Sequence, residues 1–189
     1  MWHKLLFSLV ALTSTTWAAK EQDLQKLLAM QKSLQAVHLD LSNADLRQYP
    51  FIVGKIDLRG ANLSHSNLAG VDLKRMDLSG ADLSFAQLQG AQLAQSNLTN
   101  ANLNAADLSQ ANLEQANLHA ANLSFARLYA ANMVRADLQE ANLRCAVLDN
   151  ADLSWSNFDR SDISGASLIN TTTNNITHYT DVVALKIRC

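Results

Sequence analysis

Leu, Met, Phe or Ile occupies every fifth position from Leu58 to Leu168, 23 positions in unbroken register, 20 of them Leu. Met133, Phe158 and Ile163 are the exceptions. Two residues before each stands a small or apolar residue, Ala in 16 cases and Ser at Ser66, Ser96, Ser156 and Ser161. The residue between them is Asn or Asp in 18 of the 23 units, so the motif reads Ala-Asn/Asp-Leu-x-x, as in Ala101-Asn102-Leu103. A period of five suits neither common element. On an α-helix, at about 100° per residue, successive Leu would be rotated by roughly 140° and would scatter around the cylinder. On a flat strand an odd period sends alternate Leu to opposite faces. All can face one core only if the backbone bends once per pentapeptide and winds into a coil. Ala and Leu then point inward together, with Asn/Asp between them pointing out. Such coils stack at the strand spacing of about 4.8 Å, and self-similarity at a short fixed period marks a solenoid.

The pattern resembles the pentapeptide-repeat family over residues 56–170. That resemblance implies an all-β solenoid, a right-handed quadrilateral β-helix with four pentapeptides to a coil. Just under six coils follow, roughly 28 Å long at the strand spacing. The departures are few. Gln87, Gln92, Arg127, Val147 and Ser167 replace Asn/Asp, and Ile56, Val71 and Met76 replace the small residue. The last three fall in the first coil, where a larger interior or an adjoining cap accommodates them. Gly60, Gly70, Gly80 and Gly90 close pentapeptides in the early coils.

A terminal coil stacks on one side only and exposes strand edges, so caps are expected. Residues 21–37 place Leu24, Leu27, Leu28, Leu34 and Val37 at helical spacing with Lys and Gln between them, which predicts an N-terminal amphipathic capping helix. Leu41 and Leu46, the latter preceded by Ala44, resemble early repeats. Leu46 to Val53 is seven residues instead of five, so a two-residue insertion around Tyr49-Pro50 breaks the register. Beyond Asn170 the run Thr171 to Asn175 is turn-like, and Val182, Val183, Leu185 and Ile187 form a short apolar tail, either a strand or a helical turn. The expected organisation is a signal peptide (1–18), an N-terminal cap with irregular first repeats (19–55), the β-helix (56–170) and a C-terminal cap (171–189).

The signal peptide rests on a short basic start, Met1 to Lys4, an apolar core from Leu5 to Leu12, and a small polar stretch with Thr16 and Ala18 at the cleavage positions. The competing reading is an apolar helix retained as a cap or anchor. No Cys lies near the cleavage site, which argues against a lipoprotein anchor. The expected mature chain begins near Ala19 and is exported, periplasmic or secreted, from a bacterium. No later segment is long enough to cross a membrane. Export bears on the two cysteines. Cys145 stands at an outward position about one coil below the end of the repeat, and Cys189 is the last residue. A disulfide between them is feasible in an oxidising compartment and would pin the cap. Two unpaired thiols are the alternative, since terminal residues fray.

Charge and chemistry exclude more than they propose. The chain carries 15 Lys and Arg against 17 Asp and Glu, a formal net of −2. Within 56–170 the count is 12 acids against 7 bases. His38, His65, His119 and His178 lack metal-ligand spacing, and no Ser stands in a nucleophile elbow. Asp57 and Asp77, one coil apart, read as a solvated ladder rather than a catalytic pair. No catalytic residue, metal or cofactor is expected, and the chain does not read as an enzyme.

Outward columns are more informative. With four units per coil, residues twenty apart stack, which aligns Phe85, Ala105, Phe125 and Cys145 below Gly165. Tyr129, Val147 and Ile169 fall close together on a neighbouring face. A second column holds Arg75, Gln95, Gln115, Arg135 and Trp155. Corner packing is the plain reading of these residues. The sharper one is an interaction surface of Phe85, Phe125, Tyr129, Val147, Arg75, Arg135 and Trp155, because aromatic and Arg side chains anchor interfaces. The functional expectation is an exported, non-enzymatic scaffold or interaction module with a protein or cell-envelope partner and no nucleic acid. The C-terminal end, covered only by the short tail, is the expected site of self-association or partner docking, and the family resemblance implies a homodimer joined through that end. The alternative implied by the resemblance is a DNA-mimicking, gyrase-binding protein. Export and the modest negative charge weigh against it.

Overall fold

Pentapeptides fold alike because most of their backbone groups find the same partners in unit after unit. In the unit Ala61 to His65, the Ala61 amide closes a turn onto the Leu58 carbonyl at 3.1 Å. Asn62 donates one coil down to Leu39 at 2.8 Å, and Leu63 donates one coil up to Asp82 at 2.7 Å. His65 also donates upward, to Ser84 at 2.9 Å. The fifth amide, that of Ser64, is satisfied by Oδ1 of Asn62 at 3.2 Å. This is the physical reason for Asn or Asp in the middle of the unit: an Asx turn takes the one amide the ladder does not. The same bond recurs at Asp72, Asn97, Asn122 and Asp152.

This computed structural model describes residues 39–48, 51, 56–176 and 189. The expected signal peptide (1–18), the capping helix (21–37) and the tail between Ile176 and Cys189 lie outside the described residues. From Asn62 upward every bridge is parallel and joins residues 20 apart, as in Asn62–Asp82, Asn102–Asn122 and Asp152–Thr172. Twenty residues are four pentapeptides, so the coil is four-sided. The two lowest bridges, Asp40–Asn62 and Asp45–Asn67, join residues 22 apart. Leu41 and Leu46 therefore belong to a true first coil, and two extra residues between Asp45 and Asn62 leave both faces aligned. Face A rises through Asn102 and Asn122, and face B through Asp107 and Arg127. Face C rises through Asn112 and Asn132, and face D through Asn117 and Asp137.

The corners carry a cost that the side-chain pattern hides. Every fifth residue from Gly60 (φ 61°) to Asn175 (φ 51°) has a left-handed backbone. Only five of these are Gly; the rest include Ala120, Phe125, Arg135 and Trp155. A left-handed conformation costs a residue with a Cβ roughly 1–2 kcal/mol, and it persists here because the turn bond and the coil-to-coil bonds on both sides over-determine it.

Inside, the central residues from Leu58 to Ile163 are buried. Leu168 is the exception to the expected set, only half-buried, since it lies on the last described coil with no described coil above it. Val71 and Met76 fit the first coils as expected, at 3% and 2% exposure. Ser66, Ser96 and Ser161, inward in place of Ala, return their hydroxyls to the carbonyl three residues back, at 2.6, 2.7 and 2.9 Å. The backbone coil also outlasts the side-chain pattern. Thr172 bridges Asp152 and Trp155 donates to the Asn174 carbonyl at 2.8 Å, although Thr173 in the inward position is exposed. The solenoid thus runs to Asn175, five residues past the boundary read from the Leu repeat. Cys189 is bonded to Cys145, with Cα atoms 5.7 Å apart, so the end of the chain is held on a corner of the solenoid below Gly165.

Candidate interaction surface

The corner between faces A and B stacks His65, Phe85, Ala105, Phe125, Cys145 and Gly165, one per coil. The His65 and Phe85 rings lie 4.8 Å apart and within 3° of parallel, stacked at the coil spacing. Phe85 and Phe125 are nevertheless 51% and 56% exposed. Along face B and its far corner, Val147, Tyr129 and Ile169 are exposed as well. Among the described residues, five of the six exposed large hydrophobic side chains therefore gather on one face and its two corners. The sixth, Trp155, stands elsewhere.

Trp155 shares the corner between faces C and D with Arg75 and Arg135. Arg75 Nε donates to Gln95 Oε1 at 3.0 Å, and Gln95 Nε2 reaches Gln115 Oε1 at 3.5 Å, a polar ladder along the same corner. That corner is ten residues, half a coil, from the Phe85–Phe125 corner. The two groups of expected interaction residues are diagonally opposite and do not form one surface.

Face B also differs at its centre. On face A, Asn102, Asn122 and Asn142 each donate their side-chain amide to the residue one coil below, Asp82, Asn102 and Asn122, at 3.0, 3.1 and 3.3 Å. Face D repeats this at Asn97–Asp77 and Asn157–Asp137, and face C at Asn132–Asn112. On face B the column reads Asn67, Gln87, Asp107, Arg127, Val147, Ser167, which contains four of the five departures from Asn/Asp. Gln87, Arg127 and Ser167 thus join Val147 on one surface. The clue lay in their spacing, multiples of twenty, which counting departures singly does not reveal.

The charges of face B are satisfied locally. Asp107 accepts from Ser109 Oγ at 2.6 Å and Gln89 Nε2 at 2.9 Å, and Arg127 Nε lies 3.8 Å away. Burial pushes the Asp107 carboxyl up, but the Ser109 and Gln89 hydrogen bonds and the Arg127 charge outweigh it and hold the carboxyl below its ordinary value. Asp149 accepts from Ser167 Oγ and from the Ile169 amide. On face D, Asp57 pairs with Arg59 of its own turn at 2.6 Å, and Asp77 accepts from Asn97 one coil above. Among the described residues no group of three His, Cys, Asp or Glu is placed to hold a metal, and no helix is long and apolar enough to cross a membrane.

The family profile for pentapeptide repeats matches residues 56–95, 96–133 and 136–172, in 8 copies. No curated protein matches the chain. Among solved structures, a pentapeptide repeat protein (Rfr23) from the cyanobacterium Cyanothece 51142 is 34% identical, covering 51% of this chain and 63% of that one, with a TM-score of 0.41. The chain therefore spans less than two thirds of that relative's length. A pentapeptide repeat protein from the Arabidopsis thaliana thylakoid lumen is 30% identical, covering 59% of this chain and 70% of that one, with a TM-score of 0.40. HetL from Nostoc, described as involved in heterocyst differentiation regulation, is 24% identical over 72% of this chain and 84% of its own, with a TM-score of 0.35.

Proposed function

The chain belongs to the pentapeptide-repeat family, and from that premise we propose that it is an exported, non-enzymatic interaction module whose face B docks a protein or cell-envelope partner. One observation carries the reading: Phe85, Phe125, Tyr129, Val147 and Ile169 are exposed together on face B and its corners, where the Asn/Asp column is replaced. A soluble protein rarely keeps such apolar side chains together without a use for them. The coil geometry makes the face a suitable platform, because each outward side chain is anchored by coil-to-coil bonds and little ordering entropy is spent on binding.

The basic, apolar and small-residue segments at the N-terminus support export. The mimicry alternative requires dense, unpaired negative charge, and several acids of the solenoid are taken up by ion pairs such as Asp57–Arg59, Asp107–Arg127 and Glu140–Arg160. Intact-mass measurement and compartment fractionation from the native host test export. The expected product lacks about 18 N-terminal residues and lies outside the cytoplasm, whereas a full-length cytoplasmic product overturns that part. Docking is tested with a photo-cross-linkable residue at position 147 and another at 155. Cross-links from 147 alone support face B, and cross-links from 155 alone sink it.

A further inference from the structure

We infer that face B is self-complementary and that its partner is a second copy of this chain, packed side by side and antiparallel about a two-fold axis. The inference rests on the reading of face B as the contact surface and names what meets it. A two-fold lying in the contact plane, perpendicular to the solenoid axis, sets face B against face B and reverses the order of the coils. If the axis passes midway between the coils of Asp107 and Arg127, each coil meets a defined coil of the other copy.

The corner column reads, from bottom to top, His65, Phe85, Ala105, Phe125, Cys145, Gly165. Reversed against itself, it brings Phe125 opposite Ala105 and His65 opposite Gly165. The rings of His65 and Phe85, on successive coils of this corner, stack at 4.8 Å. Ala105 therefore leaves a gap two coil spacings wide between Phe85 and Phe125, about 9.6 Å, which is room for one inserted ring. Phe85 meets the Cys145 coil, where it contacts disulfide sulfur, a favourable partner for an aromatic face.

Two pairs at the far corner obey the same rule, while Gln89 faces Asp149 there and Gln87 faces Val147 at the centre. At the far corner Tyr129 faces Ser109 and Ile169 faces Ala69, large against small. At the centre Asp107 faces Arg127, and by symmetry Arg127 faces Asp107. Arg127 can turn from its own Asp107 toward that of the other copy, since its side chain is 69% exposed and its contact with Asp107 of the same chain is 3.8 Å. The charges also fix the register. A shift of one coil in either direction sets Arg127 against its own copy, or Asp107 against its own copy, and replaces two attractions by a like-charge contact. The face with its corners offers three columns of six outward residues, just under the roughly 20–30 per side of a standard interface, so the dimer is expected to be weak and concentration-dependent.

The test is a pair of charge reversals, Arg127→Asp and Asp107→Arg, in the full chain, followed by analytical ultracentrifugation across a concentration series. The wild type should approach twice the monomer mass as concentration rises. Each variant alone should stay monomeric, since two like-charge contacts replace two attractive ones. An equimolar mixture of the two should recover the dimer mass, because the carboxylate introduced at position 127 of one variant then faces the guanidinium introduced at position 107 of the other. That recovery also proves that both variants are folded. The inference is overturned if the wild type is monomeric throughout. It is equally overturned if Arg127→Asp dimerises like the wild type, an outcome that places association at the end of the solenoid, or if mixing fails to restore the dimer. A monomeric wild type whose position 147 still cross-links to another protein removes self-association while leaving face B as the docking surface. Failure of both experiments removes the docking surface too.

Discussion

The side-chain amide of Asn122 donates to Oδ1 of Asn102 one coil below, at 3.1 Å. The Asn122 Oδ1 meanwhile accepts from the Ser124 amide at 3.2 Å and from Asn142 at 3.3 Å. One side chain thus closes its own turn and ties three coils together. Asn122→Ala should cost about 1–3 kcal/mol, because it strands the amide of buried Ser124 as well as removing the rung. Asn122→Asp keeps the Asx turn and should cost less. Urea denaturation of the two variants checks the order, and equal losses would show that the ladder, not the turn, dominates.

Burial should grade the cost of Leu removal along the solenoid. Leu113 is fully buried, and Leu113→Ala should destabilise by about 2–5 kcal/mol. Leu168→Ala, on the half-buried last coil, should cost clearly less. Ser96→Ala should stay within about 1.5 kcal/mol, since it removes one intramolecular hydrogen bond while the Leu93 carbonyl keeps the Ser96 amide as donor. Denaturant midpoints for the three variants test the gradient.

Corner conformation is open to a direct trial. A Cβ built on Gly80 meets nothing within 4 Å, yet its φ is +66°. Gly80→Ala should therefore destabilise through backbone conformation alone, by about 1 kcal/mol. Ala120, at φ 54°, is the mirror case, and Ala120→Gly should stabilise by a similar amount, about 1 kcal/mol. Thermal melts of both should move in opposite directions.

Acid should weaken the solenoid through its paired carboxylates. Burial opposes ionisation of Asp107 and of Asp162, but hydrogen bonds from Ser109 and Ser164, with the charges of Arg127 and Arg144, hold both carboxyls below the ordinary value. A depressed folded-state value adds stability above the unfolded Asp pKa of about 3.9, and that stability is lost as pH falls through the folded value. Stability should be level near neutrality and fall below about pH 4, less steeply in Asp107→Asn. Denaturation midpoints against pH check the slope.

The Cys145–Cys189 bond closes a segment with a sequence separation of 44, which on chain-entropy grounds is worth about 4 kcal/mol. Replacing both by Ser, or reducing the protein, should lower stability by about 2–4 kcal/mol. Calorimetry with and without reductant measures it, and an unchanged midpoint would show that the bond does not constrain the unfolded chain.

The sequence alone determined the coil and its lining. A five-residue period has one solution that buries every Leu, and the Asn/Asp between Ala and Leu had to point outward. The two-residue break near Tyr49-Pro50 was legible for the same reason, and it reappears as bridges of 22 instead of 20 residues. What hydropathy does not encode waited for the tertiary structure. Left-handed corners leave no pattern in side-chain polarity, and Gly60, Gly70, Gly80, Gly90 and Gly165 were their visible trace. Thr172 and Asn174 continue the coil although Thr173 offers nothing to the core, because coil-to-coil bonds are made by the backbone whatever the side chain. Grouping residues into faces depends on how many pentapeptides complete a turn, and that number is fixed by bonds between residues 20 apart. The family resemblance had already implied four to a coil and so separated the Trp155 column from that of Phe85; the bonds establish that number, and with it Gln87, Arg127, Val147 and Ser167 form one surface.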